Sequence, residues 1–375
     1  MIRIYLDYNA TTPIHPRAVD EMDKYAKKYF GNPSSGHWFG MKAKEGVAKA
    51  RKGVATLLSC SPEEIIFTSG GTESNNYVIL GVAETFKKKG KHIITSRIEH
   101  PAVINPCRHL EKNGFRVTYL PVDEFGLIDP SDLRKAIRKD TILITIMHAN
   151  NETGAIQPIP EISRIAGNRN VLFHTDAAQS AGKIPADINE LGVDFLSMAG
   201  HKLYAPKGVG VLYKRKGIEI EPLMYGAGHE RGSRPGTENV IEIAALGKSC
   251  EILKKTMRKN SVRIRRLRDS LEQGLIDAGI RIRLNGHPEK RLPNTLNVSF
   301  PGIDGHELLK KIPNIAASTG SACHANVKEP SAVLTAMGVK PEDAFGAIRF
   351  SLGLWTTEEE ITYTIKAIKK AFHKN

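Results

Sequence analysis

Residues 65–73, Ile65-Ile66-Phe67-Thr68-Ser69-Gly70-Gly71-Thr72-Glu73, join a short apolar run to a glycine turn, and a helical pattern begins at Thr72. Such a run, bounded by a turn signal, reads as a strand buried on both faces. The glycines let backbone come close to an anion. The helix start offers unpaired N–H groups and the positive end of a dipole, and the Thr72 hydroxyl adds a donor. A plain helix start after a tight turn fits the same residues, so this stretch alone leaves phosphate binding and capping both open.

Working outward, residues 42–58 carry Ala43, Val47, Ala50, Val54 and Leu57 at spacings of three and four, which predicts an amphipathic helix. Strand-like runs recur at His92–Thr95, Val117–Leu120, Ile142–Met147, Val171–His174, Phe195–Met198 and Val209–Tyr213, several of them separated by helical stretches. That alternation predicts an α/β fold with a mostly parallel sheet covered on both faces. A long helix is expected from about Ile241, charged from Lys254 to Arg268, with Ile264, Leu267, Leu271 and Leu275 on one stripe. After about residue 255 strand candidates (Thr295–Phe300, Ala347–Leu352) mix with helices, as in a smaller α+β domain. Thr357-x-x-Glu360 is a capping box for the final helix.

Composition narrows the class. The chain has 375 residues, 41% hydrophobic and 25% charged, enough apolar content to bury a large core and too much for intrinsic disorder. No apolar run approaches 18 residues, so no membrane span is expected. Cys60, Cys107, Cys250 and Cys323 are scattered, without a C-x-x-C pair, so free thiols are expected rather than a zinc site. The start, Met1 to Tyr8, lacks a signal-peptide pattern, which points to the cytoplasm. The formal charge is +14, but Lys24-Lys27-Lys28, Lys87-Lys88-Lys89, Lys254 to Arg268 and Lys366-Lys369-Lys370 carry no interleaved aromatic residues. Solvated helix faces and acidic partners or ligands are expected, and direct nucleic acid binding is not. The fingerprints of dinucleotide, P-loop, zincin and serine-hydrolase sites are absent from the sequence.

The residues with chemistry sit just after strand ends, where open α/β sheets bind ligands. His100 could stack on a flat ring and move protons. Asn151, in Asn150-Asn151-Glu152-Thr153-Gly154, could hold a hydroxyl or carboxylate without charge. Asp176 could keep a ring nitrogen protonated or cap a helix, with Gln179 near a phenolic oxygen. Lys202, after Ala199-Gly200-His201, could form a Schiff base or face solvent. The basic, glycine-rich Arg231–Thr237 loop suits a second phosphate contact. Cys323, in Ser318-Thr319-Gly320-Ser321-Ala322-Cys323-His324, could be a nucleophile. Arg349, in an apolar strand, could bind a carboxylate or make a structural ion pair. Together these are what a pyridoxal 5'-phosphate enzyme acting on an amino acid needs.

The set resembles the NifS/IscS-type cysteine desulfurases, pyridoxal phosphate enzymes of the class-V aminotransferase group. Matching motifs are Tyr5-Leu6-Asp7-Tyr8-Asn9-Ala10-Thr11-Thr12-Pro13, Gly31-Asn32-Pro33-Ser34-Ser35, Thr68 to Glu73, His201-Lys202-Leu203-Tyr204, Gly320-Ser321-Ala322-Cys323 and Arg349-Phe350-Ser351-Leu352-Gly353. The resemblance implies a fold-type-I homodimer with a seven-stranded sheet. It implies a large cofactor domain over 15–255, with 1–14 and 256–375 forming a small domain. It makes Lys202 the cofactor-bound lysine and places Asp176 at the ring nitrogen, Gln179 at the ring oxygen and His100 on the ring face and in proton transfer. Gly71, Thr72 and His201 would hold the phosphate, with Thr237 from the other subunit. Asn151 would lie beside the cofactor and, with Arg349, hold the carboxylate of L-cysteine. Cys323 would receive the sulfur as a persulfide and pass it to an acidic acceptor such as an iron–sulfur scaffold. No metal is implied in the resting protein, with Cys323 a candidate transient cluster ligand. Ala199 stands where the family usually has serine, and Ala205 where it has glycine. Selenocysteine lyases look similar and leave that reading open; a catalytically silent partner with the same fold is the alternative of another class.

Overall fold

The computed structural model describes residues 3–319, 323–324 and 327–372, with the backbone alone at 323, 324, 327 and 328. Its main sheet has seven strands, in spatial order Ile65–Thr68, Gly210–Lys214, Phe195–Ala199, Leu172–Asp176, Thr141–Thr145, His92–Ser96 and Arg116–Leu120. Gly210–Lys214 pairs antiparallel with both neighbours, and every other pair is parallel. The five strands at 65, 92, 141, 172 and 195 therefore end at the same edge, and their carboxyl ends deliver the chain to the site.

The six strands of this sheet other than Arg116–Leu120 are buried almost throughout, because helices cover both faces. The strand ends at Thr145, two residues short of the sequence run Ile142–Met147: Ile146 N and His148 N still donate to the His174 and Asp176 carbonyls of the neighbouring strand at 3.1 and 2.9 Å, while the Met147 N–H between them turns to the Glu99 carboxylate at 3.0 Å. Buried histidines bridge strands through hydroxyls. His174 reaches Thr145 Oγ1 at 2.8 Å and Ser197 Oγ at 2.9 Å, and His92 reaches Thr141 and Thr118, each at 2.8 Å. Burial lowers His174 to about 3 and His148 to about 4, so both are neutral in the folded protein near neutrality. The unfolded chain binds these protons below about 6.5 while the folded one resists them, so stability falls as pH drops from 6.5 toward 4. Denaturant midpoints measured across that range should decrease steadily; a flat profile would contradict the buried, neutral histidines.

A second sheet, all antiparallel, runs Ser318–Thr319, Ala347–Ser351, Thr295–Ser299, Arg283–Leu284. The N-terminal strand Ile4–Tyr5 pairs in parallel with Ile315–Ala316 and so returns the start of the chain to this part. The helix Val240–Asp277 joins the two parts: Ile243, Leu246, Cys250 and Leu253 pack on the main-sheet core, and Ile264, Leu267, Leu271 and Leu275 pack with Leu296, Val298, Phe350 and Ile368. The Lys254–Arg268 run is not one solvated face. Arg268 is buried, with Nη1 donating to the Leu292 carbonyl at 2.9 Å, and Arg263 donates to the Thr356 and Leu354 carbonyls. The capping box at Thr357 forms in both directions, with Thr357 N to Glu360 at 3.0 Å and Glu360 N to Thr357 Oγ1 at 3.2 Å.

Candidate active site

The turn after Ile65–Thr68 crosses the antiparallel strand so closely that a Cβ on Gly210 would lie 2.5 Å from Gly70 backbone atoms. Only glycine at 210 permits this path. It aims the start of the Gly71–Phe86 helix, whose first N–H groups lack intrahelical partners, at the ends of the neighbouring strands. The turn is braced by Ser69 N donating to Glu73 at 2.7 Å and by the Glu73–Arg234 ion pair at 2.9 Å.

A cavity of about 320 Å³ opens there. Its walls include Gly71, Thr72, His100, Asn151, Asp176, Gln179, His201, Lys202 and Arg349, so these residues, spread over nearly 280 positions of sequence, meet in one place. Thr237 does not line it and is exposed. The Cys323 side chain and residues Gly320 to Ala322 lie outside the described residues. The backbone of Cys323–His324 pairs with Val327–Lys328.

Lys202 Nζ donates to the backbone carbonyls of Asn9 and, at 2.7 Å, Ala10. Burial first, then the Arg349 charge, lowers its pKa to about 8, against the opposing pull of Asp7 and Asp176. About a tenth of the amine is free at pH 7, against well under a thousandth for an ordinary lysine. Asp176 is buried and oriented, accepting Ala178 N–H at 2.9 Å and Asn75 Nδ2 at 2.7 Å. It thus caps the turn with one oxygen and accepts from Asn75 with the other.

His100 stands exposed at the cavity rim and caps the Pro101–Lys112 helix, with Nδ1 accepting Ala102 N–H at 3.1 Å. The neutral ring therefore carries its proton on Nε2. Desolvation by surrounding protein lowers its pKa; Asp176 opposes this and Lys202 adds to it. His201 is lowered to about 4 by burial and by Lys202 and Lys207, and its Nδ1 lies 3.2 Å from Thr11 Oγ1. Arg349 donates to Asp7 at 2.7 Å and to the Asn151 carbonyl at 2.9 Å, while its buried Nε has no partner among the described residues. The structural ion pair is real, and it aims the guanidinium into the cavity wall.

Sequence reading did not single out Asp7, Asn9, Asn75 or Lys183. Asn75 was findable as the residue one turn beyond Thr72 on the same helix face. Asp7 and Asn9 stand in the Tyr5–Pro13 motif but were given no role there: they come from the chain start, placed by the Ile4–Tyr5 pairing and an Asp7–Ser351 bridge.

The residues fit pyridoxal phosphate. A helix start and a neutral His201 suit a phosphate, an oriented buried carboxylate suits a pyridinium, and a lysine of lowered pKa suits an aldehyde. Ala199 lines the cavity, and a Cβ built on Gly71 would meet its Cβ at 3.4 Å, so this wall offers a methyl and no hydroxyl.

This fold and cavity define a pyridoxal phosphate-dependent enzyme, and the chain belongs to the aminotransferase class-V family, whose model matches residues 4–363. It is 49% identical to a cysteine desulfurase IscS of Dictyoglomus turgidum, over 99% of this chain and 95% of that one. A solved NifS-like protein superposes with a TM-score of 0.94 at 42% identity, covering both chains fully. A structure described as SspA in complex with cysteine matches with a TM-score of 0.83 at 37% identity, over 94% of this chain and 100% of that one.

Proposed function

We propose that the chain is a cysteine desulfurase: it converts L-cysteine to L-alanine and keeps the sulfur as a persulfide on Cys323. The observation that carries this reading is Lys202, its amine softened to a pKa of about 8, in one cavity with the Asp176 carboxylate and the Arg349 guanidinium.

Gly71, Thr72 and His201 would hold the phosphate, with Thr237 of a second subunit, and Lys202 would bind the aldehyde carbon. The bound cofactor supplies an electron sink for a carbanion at the substrate Cα. Asp176, its oxygens already oriented, would keep a ring N–H in place, and Gln179 would meet the ring oxygen. Arg349 and Asn151 hold the substrate carboxylate, which fixes the Cα–H toward Lys202 Nζ. Once the substrate amine has taken its place on the aldehyde carbon, the freed Lys202 Nζ would take that proton as a general base, and His100 Nε2 would return one. Cys323 Sγ, as thiolate, forms an S–S bond to the substrate sulfur while the Cβ–S bond breaks, its electron pair staying with the carbon fragment, which is protonated to alanine.

Arg349→Lys should raise KM for cysteine on the order of 10–100-fold with a smaller change in kcat, because a point charge cannot reach Asp7, the Asn151 carbonyl and a carboxylate in one plane. Unchanged steady-state KM would remove Arg349 from the substrate site.

The working unit is a homodimer in the cytoplasm. Exposed Phe30 and Trp38 both pack on Phe39, with ring centroids 5.2 and 3.7 Å apart, an aromatic group of the kind that interface cores use. The acceptor is an acidic protein such as an iron–sulfur scaffold, met by the exposed Lys254, Lys255, Arg258, Lys259 and Arg265. Residues 15–255 form the cofactor domain, with 1–14 and 256–375 the smaller one. No helix among the described residues is long and apolar enough to cross a membrane. The test is anaerobic incubation of the purified protein with cysteine and separately with selenocysteine, measuring alanine, sulfide or selenide, and the mass of the Cys323 peptide. Alanine with a Cys323 peptide heavier by one sulfur supports desulfuration. Selenide release with no product from cysteine overturns it in favour of a selenocysteine lyase.

A further inference from the structure

Lys183 has no part in the chemistry above, yet its amine lies beneath the cavity floor. Nζ donates to Gln179 Oε1 at 2.9 Å and to Asn9 Oδ1 at 3.1 Å. Asn9 cannot turn over, because its Nδ2 donates to the Asn151 carbonyl at 3.2 Å and to Thr295 Oγ1 at 2.9 Å, while its Oδ1 also accepts Asn294 Nδ2 at 2.9 Å. Gln179 is held in the same way, since its Nε2 donates to the Asn9 carbonyl at 2.9 Å. Turning the Gln179 carboxamide over would put oxygen against that carbonyl and NH₂ against an amine. Charged or neutral, Nζ keeps at least two N–H groups, so the arrangement does not depend on its protonation state.

We propose that Lys183 is a positioning residue that locks Gln179 with Oε1 committed to the buried amine, leaving the second Nε2 N–H for the cavity. The proposal rests on the cofactor reading of that cavity. A donor held at the ring oxygen favours its ionised form over the hydroxyl, and an unlocked carboxamide does so less.

Two measurements test it, on Lys183→Met, which keeps the stem and loses the donors, and on Lys183→Arg, which keeps donors; Lys183→Gln replaces the first if it fails to fold. In cofactor-free protein, ¹⁵N-glutamine labelling gives only three side-chain NH₂ pairs, from Gln157, Gln179 and Gln273. Hydrogen exchange at Gln179 should quicken on the order of 10-fold in Lys183→Met and stay near wild type in Lys183→Arg. In protein loaded with pyridoxal phosphate, the pH midpoint of the cofactor's absorbance change should rise by about one unit in Lys183→Met, a tenfold shift. That shift should vanish in a Gln179→Leu background. Unchanged exchange at Gln179, an unmoved midpoint, or an equal shift without Gln179 each overturns the proposal. Failure of the wild-type chain to take up pyridoxal phosphate overturns the cofactor reading instead, and the exchange measurement still decides whether Lys183 holds Gln179.

Discussion

Lys202→Ala should lower cysteine turnover by about a thousandfold or more and remove the covalent cofactor absorbance of the purified protein. The argument starts from the amine's surroundings. Nζ is taken from water and lies near Arg349, so its charged form is disfavoured and its pKa falls to about 8. Only the free amine can attack an aldehyde or accept a Cα proton. For a group whose folded pKa is lowered, the reactive fraction rises with pH and levels off above that value. Capture of pyridoxal phosphate by the cofactor-free protein should therefore accelerate up to about pH 8 and then flatten, whereas an ordinary lysine would keep accelerating past 10. Added methylamine should restore part of the lost activity, which a purely structural lesion would not allow. Full activity in Lys202→Ala would end the assignment.

The second large effect is at Cys323. Cys323→Ala should still change the cofactor absorbance on addition of cysteine, while persulfide disappears and alanine formation falls by a hundredfold or more. The remaining thiols cannot take over. Burial pushes Cys60, Cys107 and Cys250 each up to about 12, which leaves roughly one thiolate in 10⁵ at pH 7. Mass spectrometry of the cysteine-treated protein reads the result directly. Normal sulfur release from Cys323→Ala would mean direct elimination and would favour the selenocysteine lyase reading.

Much of this was legible in the chain. The strand at Ile65–Thr68 was read with its observed bounds, since apolar residues followed by Ser69-Gly70-Gly71 leave little freedom in where the ladder stops. Lys202, Asp176, Gln179, His100 and Arg349 were each found just after or within a strand, and they share one cavity. Reading Lys254–Arg268 as an exposed basic face went too far, because helical spacing does not report that Arg268 faces the Leu292 carbonyl. Carrying the strand at 142 through Met147 overran its end at Thr145 by two residues: one side still bonds to the neighbouring strand through Ile146 and His148, but apolar content cannot show that a buried carboxylate, Glu99, takes the Met147 amide on the other.

Local sequence determined which segments become strands and helices, where the glycine turn meets a helix start, and which chemical groups stand at strand ends. Those are short-range matters of side-chain period, backbone freedom and hydrogen-bonding valence. Tertiary structure alone decided that Asp7 and Asn9 close the site beside Arg349 and Lys202, and that Lys183 lies under Gln179. These contacts join residues as far as 342 positions apart. Their geometry comes from sheet register and helix packing, and with it the desolvation that gives Lys202 its low pKa, which no residue carries in its immediate neighbours.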